Sequence, residues 1–398
     1  MTFHAGGRRR RARVLLAYFA ALVSFPSLAA GTIPALRVEG HQFVDAAGKA
    51  VQLRGVNVSG FEFAPIQGWS GTDPSGGQAG QPFGPKWSAL RSWKVNTLRI
   101  PLNEASWLGH RCTDTSGVMR NPDPGGNYKE VVQSQVAQAT AAGLYVILDL
   151  HWSAPGDTCP MLQMQMANAD HSLAFWTSVA KTFKGNPAVV FELFNEPFLD
   201  FGFSGNAWST MMQGRGGRFH SYPATSGKGN WQEIKRPWAV ASYQAMIDAV
   251  RATGATNIVL VGTMQYSQDF SQWLRYRPTD PLRQLGAVWH PYPTFGTEWG
   301  SKKYAEPNFA PDVYEDVLSI RAAGIPVLAT ETGDRNEPGT RGAPLVATVV
   351  QWADRHGLGV IGWGWNVWGA PDNVLIRDVD GAPTDGYGRV FHDWLVAH

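Results

Sequence analysis

Apolar runs in this sequence repeatedly end in side chains able to do chemistry, and two of those side chains are isolated carboxylates. In chain order the run ends are Asn57, Arg99, His151, Asn195-Glu196, His290, Glu331 and the Trp363/Trp365 region. An acid and a carboxylate flanking one bond are what glycosidic cleavage needs. One protonates the leaving oxygen and the other faces the anomeric carbon, with a gap of about 5–5.5 Å for retention and about 6.5–9.5 Å for inversion. Glu196 and Glu331 are the candidates for that pair. Pro197 biases Glu196 to extended backbone and ends its run there. A lone Glu equally serves as a helix cap or an ion-pair partner. Asn336-Glu337-Pro338 repeats the tripeptide of Asn195 to Pro197, but in a polar loop with no apolar run before it, so position carries the reading rather than the letters.

The elements that must position these groups follow a regular rhythm. Short β-rich runs occur at Val51–Asn57, Val95–Ile100, Leu144–His151, Val189–Asn195, Ile258–Gly262, Ala287–His290, Val327–Glu331 and Val360–Asn366. Helical patterns lie between most of them: Lys86–Lys94, Lys129–Ala142 stopped by Gly143, His171–Phe183, Trp238–Thr253 stopped by Gly254, Asp312–Ala323 stopped by Gly324, and Leu345–His356 stopped by Gly357. Only Phe270–Tyr276 serves the fifth connection. Strands alternating with helices predict parallel pairing, and eight units predict a closed (β/α)₈ TIM barrel whose site lies at the C-terminal strand ends. In such a ring the fourth and seventh strands are roughly opposite. An open doubly wound sheet lacks its Gly-x-Gly-x-x-Gly signature after the first strand. A hairpin precedes the barrel, with Leu36-Arg37-Val38 and Gln42-Phe43-Val44 flanking Glu39-Gly40-His41. Long insertions follow strands one and four, Phe61–Pro85 and Phe198–Arg236, the latter carrying Trp208 and Trp231 as expected groove walls. Strict alternation cannot aim both Asn195 and Glu196 inward, so the strand is expected to bulge or end between them. Glu192, inside the same strand, reads as a buried network partner or a register error.

Composition narrows the function. The 398 residues are 44% hydrophobic and 17% charged, which excludes a disordered chain, and 17 Trp supply flat faces suited to sugars or bases. Arg8 to Arg11 and Arg13, the apolar stretch Val14 to Val23 and Ser27-Leu28-Ala29-Ala30 read as a signal peptide over residues 1–30, leaving 31–398 as one catalytic domain. The apolar stretch is too short for a span of about 20 residues. Removing five Arg and no acid from 34 basic and 32 acidic residues leaves 29 against 32, a formal −3. No electrostatic footprint for nucleic acid or membrane remains. A secreted or periplasmic location is expected, with the export route, general or twin-arginine, left open. Cys112 and Cys159 are then candidates for one disulfide.

Phe191-Glu192-Leu193-Phe194-Asn195-Glu196-Pro197, Ala329-Thr330-Glu331, Val288-Trp289-His290-Pro291-Tyr292 and Leu148-Asp149-Leu150-His151, four motifs in order, resemble the family 5 glycoside hydrolases, the cellulase family of clan A. The resemblance implies a retaining double displacement with Glu196 as acid/base and Glu331 as nucleophile. It also implies Asn195 at the sugar 2-hydroxyl, Arg99 holding Glu331 ionised, Tyr292 donating to Glu331, and His151 and His290 lining the site. Trp363 matches the family's sugar platform; Trp365 shares its strand parity and competes for that role, with core packing the alternative for either. Two carboxylates and water complete the reaction, so no cofactor is expected. Metal binding by His151 and His290 is the alternative, but it lacks a closer ligand cluster.

Other readings have discriminators. A Schiff-base aldolase needs a Lys at a strand end, and a serine hydrolase needs a Gly-x-Ser-x-Gly elbow; the sequence has neither. A non-catalytic carbohydrate-binding barrel needs the Trp faces but not both glutamates. The expected substrate is a β-linked polysaccharide cleaved internally, a β-1,4-glucan first and mannan or xylan as alternatives.

Overall fold

The computed structural model describes residues 1–2, 33–67, 85–199, 206–214, 219–220, 234, 237–292, 311–334, 336, 343–367 and 373–398. Most of the leader expected over residues 1–30, most of the insertion after the first strand, Trp231 and Glu337-Pro338 lie outside the described residues. The chain divides into two units, Met1–Gly31 and Thr32–His398, and the fold belongs to the second. Among the described residues no helix is long and apolar enough to cross a membrane.

Eight strands form the barrel: β1 (Arg54–Asn57), β2 (Thr97–Asn103), β3 (Tyr145–Trp152), β4 (Val189–Glu192), β5 (Val259–Val261), β6 (Leu285–Trp289), β7 (Val327–Ala329) and β8 (Gly359–Gly362). All pair in parallel and in sequence order, and β8 returns to β1, so the sheet closes. A helix follows each strand: α1 (Trp87–Ser92), α2 (Tyr128–Ala141), α3 (Ser172–Phe183), α4 (Tyr243–Arg251), α5 (Trp273–Tyr276), α6 (Pro311–Ala322), α7 (Pro344–His356) and α8 (Tyr387–Ala397). Helix α4 shows why they dock: Tyr243, Met246, Ile247 and Val250 form one buried stripe at helical spacing. The expected stop glycines, Gly143, Gly254, Gly324 and Gly357, all sit at positive φ, where a β-carbon is disfavoured. The fifth connection is the single turn α5.

The barrel lumen has two levels. Leu53, Ile147, Val190, Leu260, Val288, Leu328 and Ile361 fill the lower one, and Leu36 and Phe43 of the N-terminal hairpin (Arg37–Glu39 with Gln42–Val44) join the same apolar cluster. The hairpin therefore closes the N-terminal mouth. The upper level is polar.

Four expectations needed correction. Helix α4 starts at Tyr243 rather than Trp238, because Ser242 Oγ caps it by accepting from the Ala245 N–H at 3.2 Å, while Pro237–Trp238 pairs with Phe219–His220. Helix α8 was not expected, although its buried Tyr387, Phe391, Trp394 and Leu395 have helical spacing. Trp208 is only 6% exposed and packs into the interior, so it is no groove wall. Finally, β4 ends at Glu192, before both Asn195 and Glu196 rather than between them.

Candidate active site

The polar level of the lumen is organised by one cation. Asn57 and Arg99 are register partners, as are Asp149 and Glu192, and Arg99, fully buried, reaches across to all of them. Its Nε and Nη2 donate to the two oxygens of Glu192 at 3.0 and 2.7 Å, Nη1 donates to Asn57 Oδ1 at 2.8 Å and Glu331 Oε1 at 2.6 Å, and Nη2 also donates to Asn195 Oδ1 at 2.8 Å. Asp149 Oδ2 lies 3.0 Å from Nη2. Burial opposes the guanidinium charge, but Asp149, Glu192 and Glu331 outweigh it and raise its pKa well above the ordinary value. Glu192 is thus a network partner, and Arg99 holds its carboxyl low despite burial. Burial pushes the Asp149 carboxyl up, against the pull of Arg99.

Departures from regular strand geometry aim the remaining groups. Between β2 and β3 the register passes from Leu102↔Leu150 to Asn103↔Trp152, leaving His151 as the extra, re-aimed residue. His151 Nδ1 meets Asp149 Oδ2 at 2.7 Å, and its ring stacks on Trp363 with centroids 5.3 Å apart and 7° between planes. Burial lowers the His151 pKa, so this ring is neutral. Beyond β4 the chain runs irregularly through Asn195 and Glu196, and alternation no longer constrains either side chain.

The two candidate carboxylates converge. One oxygen of Glu196, one oxygen of Glu331 and a ring nitrogen of His290 all lie within 4.8 Å of one another. Tyr292 Oη donates to Glu331 Oε2 at 3.1 Å. His290 Nδ1 donates to Glu196 Oε1 at 2.8 Å, and Nε2 donates to Thr330 Oγ1 at 2.9 Å, whose hydroxyl passes on to Glu192 Oε1 at 3.1 Å. Burial alone would lower the His290 pKa; Glu331, Glu192 and Glu196 reverse this and push it up to about 10. In turn the His290 bond and charge overcome burial and hold Glu196 low, whereas burial prevails over His290 and Arg99 at Glu331 and raises it. Arg99, expected to favour the ionised form of Glu331, does bond it and lower its pKa, but burial outweighs that contribution. His290, pushed up, thus keeps its proton beside Glu196.

Glu196, His290 and Glu331 are also a conceivable ligand set for a cation. In this arrangement both His290 nitrogens already bond within the site, to Glu196 and Thr330. Trp363 is half-buried beside His151, while Trp365, 1% exposed, packs edge-on against Trp93 at 5.0 Å and belongs to the core. Of the two candidates, Trp365 thus takes the core-packing alternative. Cys112 and Cys159 form a disulfide that ties the loop after β2 to the loop after β3, away from the carboxylates in the chain. Asp149 and Thr330 were missed as network members. Their positions inside quoted motifs, flanking or near a site residue, were the available signal.

A closed barrel with two carboxylates facing one another at its C-terminal end defines a class, the barrel hydrolases of glycosidic bonds. A family profile described as Cellulase (glycosyl hydrolase family 5) matches residues 44–369, and the chain belongs to that family. Family 5 enzymes are retaining glycoside hydrolases. Among relatives, Endoglucanase N of Pectobacterium atrosepticum is 26% identical over 263 residues, 65% of this chain and 44% of that protein. An endoglucanase of Clostridium saccharobutylicum is 24% identical over 329 residues, 82% of this chain and 55% of its own length. The chain thus spans about half the length of these relatives or less. In fold it is similar to the β-glucanase SdGluc5_26A of Saccharophagus degradans solved in complex with cellotetraose, with a TM-score of 0.59, 21% identity, and coverage of 92% of this chain and 94% of that one.

Proposed function

We propose that this chain is an endo-acting β-1,4-glucanase, exported to the periplasm or beyond, that works by double displacement with Glu331 as nucleophile and Glu196 as acid/base. The observation that supports the reading is the nearness of the two carboxylates: one oxygen of each lies within 4.8 Å of the other, which fits the retaining separation of about 5–5.5 Å better than the about 6.5–9.5 Å of inversion. In the first step a Glu331 oxygen bonds to the anomeric carbon as the glycosidic C–O bond breaks, and Glu196 gives the leaving oxygen a proton. In the second step water attacks the same carbon, its proton goes to the Glu196–His290 pair, and the ester to Glu331 breaks. The His290 bond makes the pair one acid. Arg99 fixes Asn195 Oδ1 and so assigns the amide N–H₂ to the sugar 2-hydroxyl, while Trp363, braced by His151, forms the platform. Among carbohydrate polymers, glucan is favoured because the relatives above are named endoglucanases. Export is supported by the disulfide and by a 28% match over 184 residues to the major extracellular endoglucanase of Xanthomonas campestris.

The test compares reducing-sugar release from carboxymethylcellulose, galactomannan and arabinoxylan by wild type and Glu331→Gln. Fastest hydrolysis of the glucan is expected, with at least about a thousandfold loss in the variant. Preference for galactomannan or arabinoxylan would replace the substrate assignment. Equal activity in both proteins would remove the mechanism.

A further inference from the structure

Directly after β5 the backbone does something its residues disfavour. Gln265, Tyr266 and Ser267 lie consecutively at φ 56°, 59° and 59°, a left-handed turn built without a single glycine. L-residues avoid this region because the β-carbon crowds the carbonyl, and such conformations persist only where the surroundings over-determine them. Here the surroundings are the segment that carries Glu196. The Tyr266 N–H donates to the Pro197 carbonyl at 3.0 Å, and Ser267 Oγ donates to the Asn195 carbonyl at 3.1 Å. The turn therefore grips the chain on both sides of Glu196. The Ser267 carbonyl accepts the His290 N–H at 2.8 Å, so the same turn also fixes the backbone of the residue whose ring donates to Glu196. Tyr266 stacks on Phe198 with centroids 4.7 Å apart and planes 16° from parallel. Gly262, just after β5, leaves room for the packing here, since a β-carbon there would clash with the Tyr243 hydroxyl and stand 3.1 Å from Ser267 Oγ and 3.3 Å from Pro197 Cδ.

We propose that the left-handed turn Gln265–Ser267 is a clamp that sets the position of the acid/base relative to His290, and that Ser267 is a positioning residue for proton delivery. The proposal rests on the reading of Glu196 as the acid/base. Ser267 and Tyr266 bond the main chain of Asn195 and Pro197, on either side of Glu196, so the clamp acts first on the segment that carries the proton donor. Its signature is dependence on the leaving group. A poor leaving group needs the proton, and misplacing the donor by about 1 Å costs on the order of a hundredfold. A dinitrophenolate departs without it.

The experiment measures kcat and KM of Ser267→Ala and Ser267→Gly on cellotetraose and on 2,4-dinitrophenyl β-cellobioside, with Glu196→Ala as reference. Ser267→Gly removes the hydroxyl while suiting the left-handed φ, so it folds even if Ser267→Ala does not. Expected for both variants is a loss of about tenfold or more in kcat/KM on cellotetraose and a much smaller loss in kcat/KM on the activated substrate, because kcat/KM reads only the first displacement and not the later attack of water. The alkaline limb of the rate profile should also move to lower pH. Equal losses on the two substrates, or no loss on either, would overturn the clamp. Absence of the leaving-group split in Glu196→Ala, or of its rescue by azide, would instead overturn the acid/base reading, a distinguishable failure.

Discussion

The two levels of the barrel lumen are built from the same strands, one pleat apart, yet they are held together by different physics. Below, Leu53, Ile147, Val190, Leu260, Val288, Leu328 and Ile361 interlock with Leu36 and Phe43 and contribute through removal of apolar surface from water. Above, Asn57, Arg99, Asp149, Glu192 and Glu331 meet through charge-assisted hydrogen bonds with almost no solvent contact. The lower level depends on apolar side chains of the right total volume rather than on particular partners. The upper level depends on a balance in which each charge is compensated by particular neighbours, so removing one member changes the titration of the rest.

That contrast can be broken most forcefully at Arg99. Arg99→Met leaves Glu192 and Glu331 buried without their cation, and a destabilisation of about 3–5 kcal/mol is expected by chemical denaturation, along with loss of activity. A cavity below has a different signature. Leu260→Ala is expected to cost about 2–5 kcal/mol, while the pH dependence of kcat/KM stays that of wild type. A shifted profile in Leu260→Ala would show that the two levels are not separable.

The smallest effect is the most specific to the upper level. Glu331 must be ionised to attack, and burial raises its pKa, so the rate climbs as pH rises through a value above the ordinary carboxylate range. His290 is pushed up to about 10, so the acid pair loses its proton, and the rate falls, as pH passes that region. The same group links stability to pH. Because its folded value lies above 6.5, its contribution is complete below about pH 6.5 and is lost as pH rises through about 10, which thermal melts across that window should record.

Much of the upper level was legible because strand ends in a parallel barrel must converge, and Glu196, Glu331, Arg99, His290 and Tyr292 all stand where apolar runs stop. The barrel itself followed from the alternation of β-rich and helical patterns. What escaped has local physical causes. Trp363 and Trp365 share one parity, so alternation could not separate them, and parity arguments hold only while a strand continues, whereas β8 ends at Gly362. The same limit hid the early end of β4 and the re-aiming of His151. The turn at Gln265–Ser267 carries none of the Gly or Asn residues that announce left-handed backbone, because tertiary contacts rather than local preference hold it. Helix α8, by contrast, carried its apolar spacing in plain sight after the eighth strand.

The most direct test of the central claim, that Glu196 and Glu331 share one anomeric centre, is covalent trapping. Incubation with an activated 2-deoxy-2-fluoro cellobioside, followed by mass spectrometry of the proteolytic digest, should find one glycosyl unit on the peptide containing Glu331, with the anomeric configuration of normal products retained. A label on any other residue, or products of inverted configuration, would contradict the account.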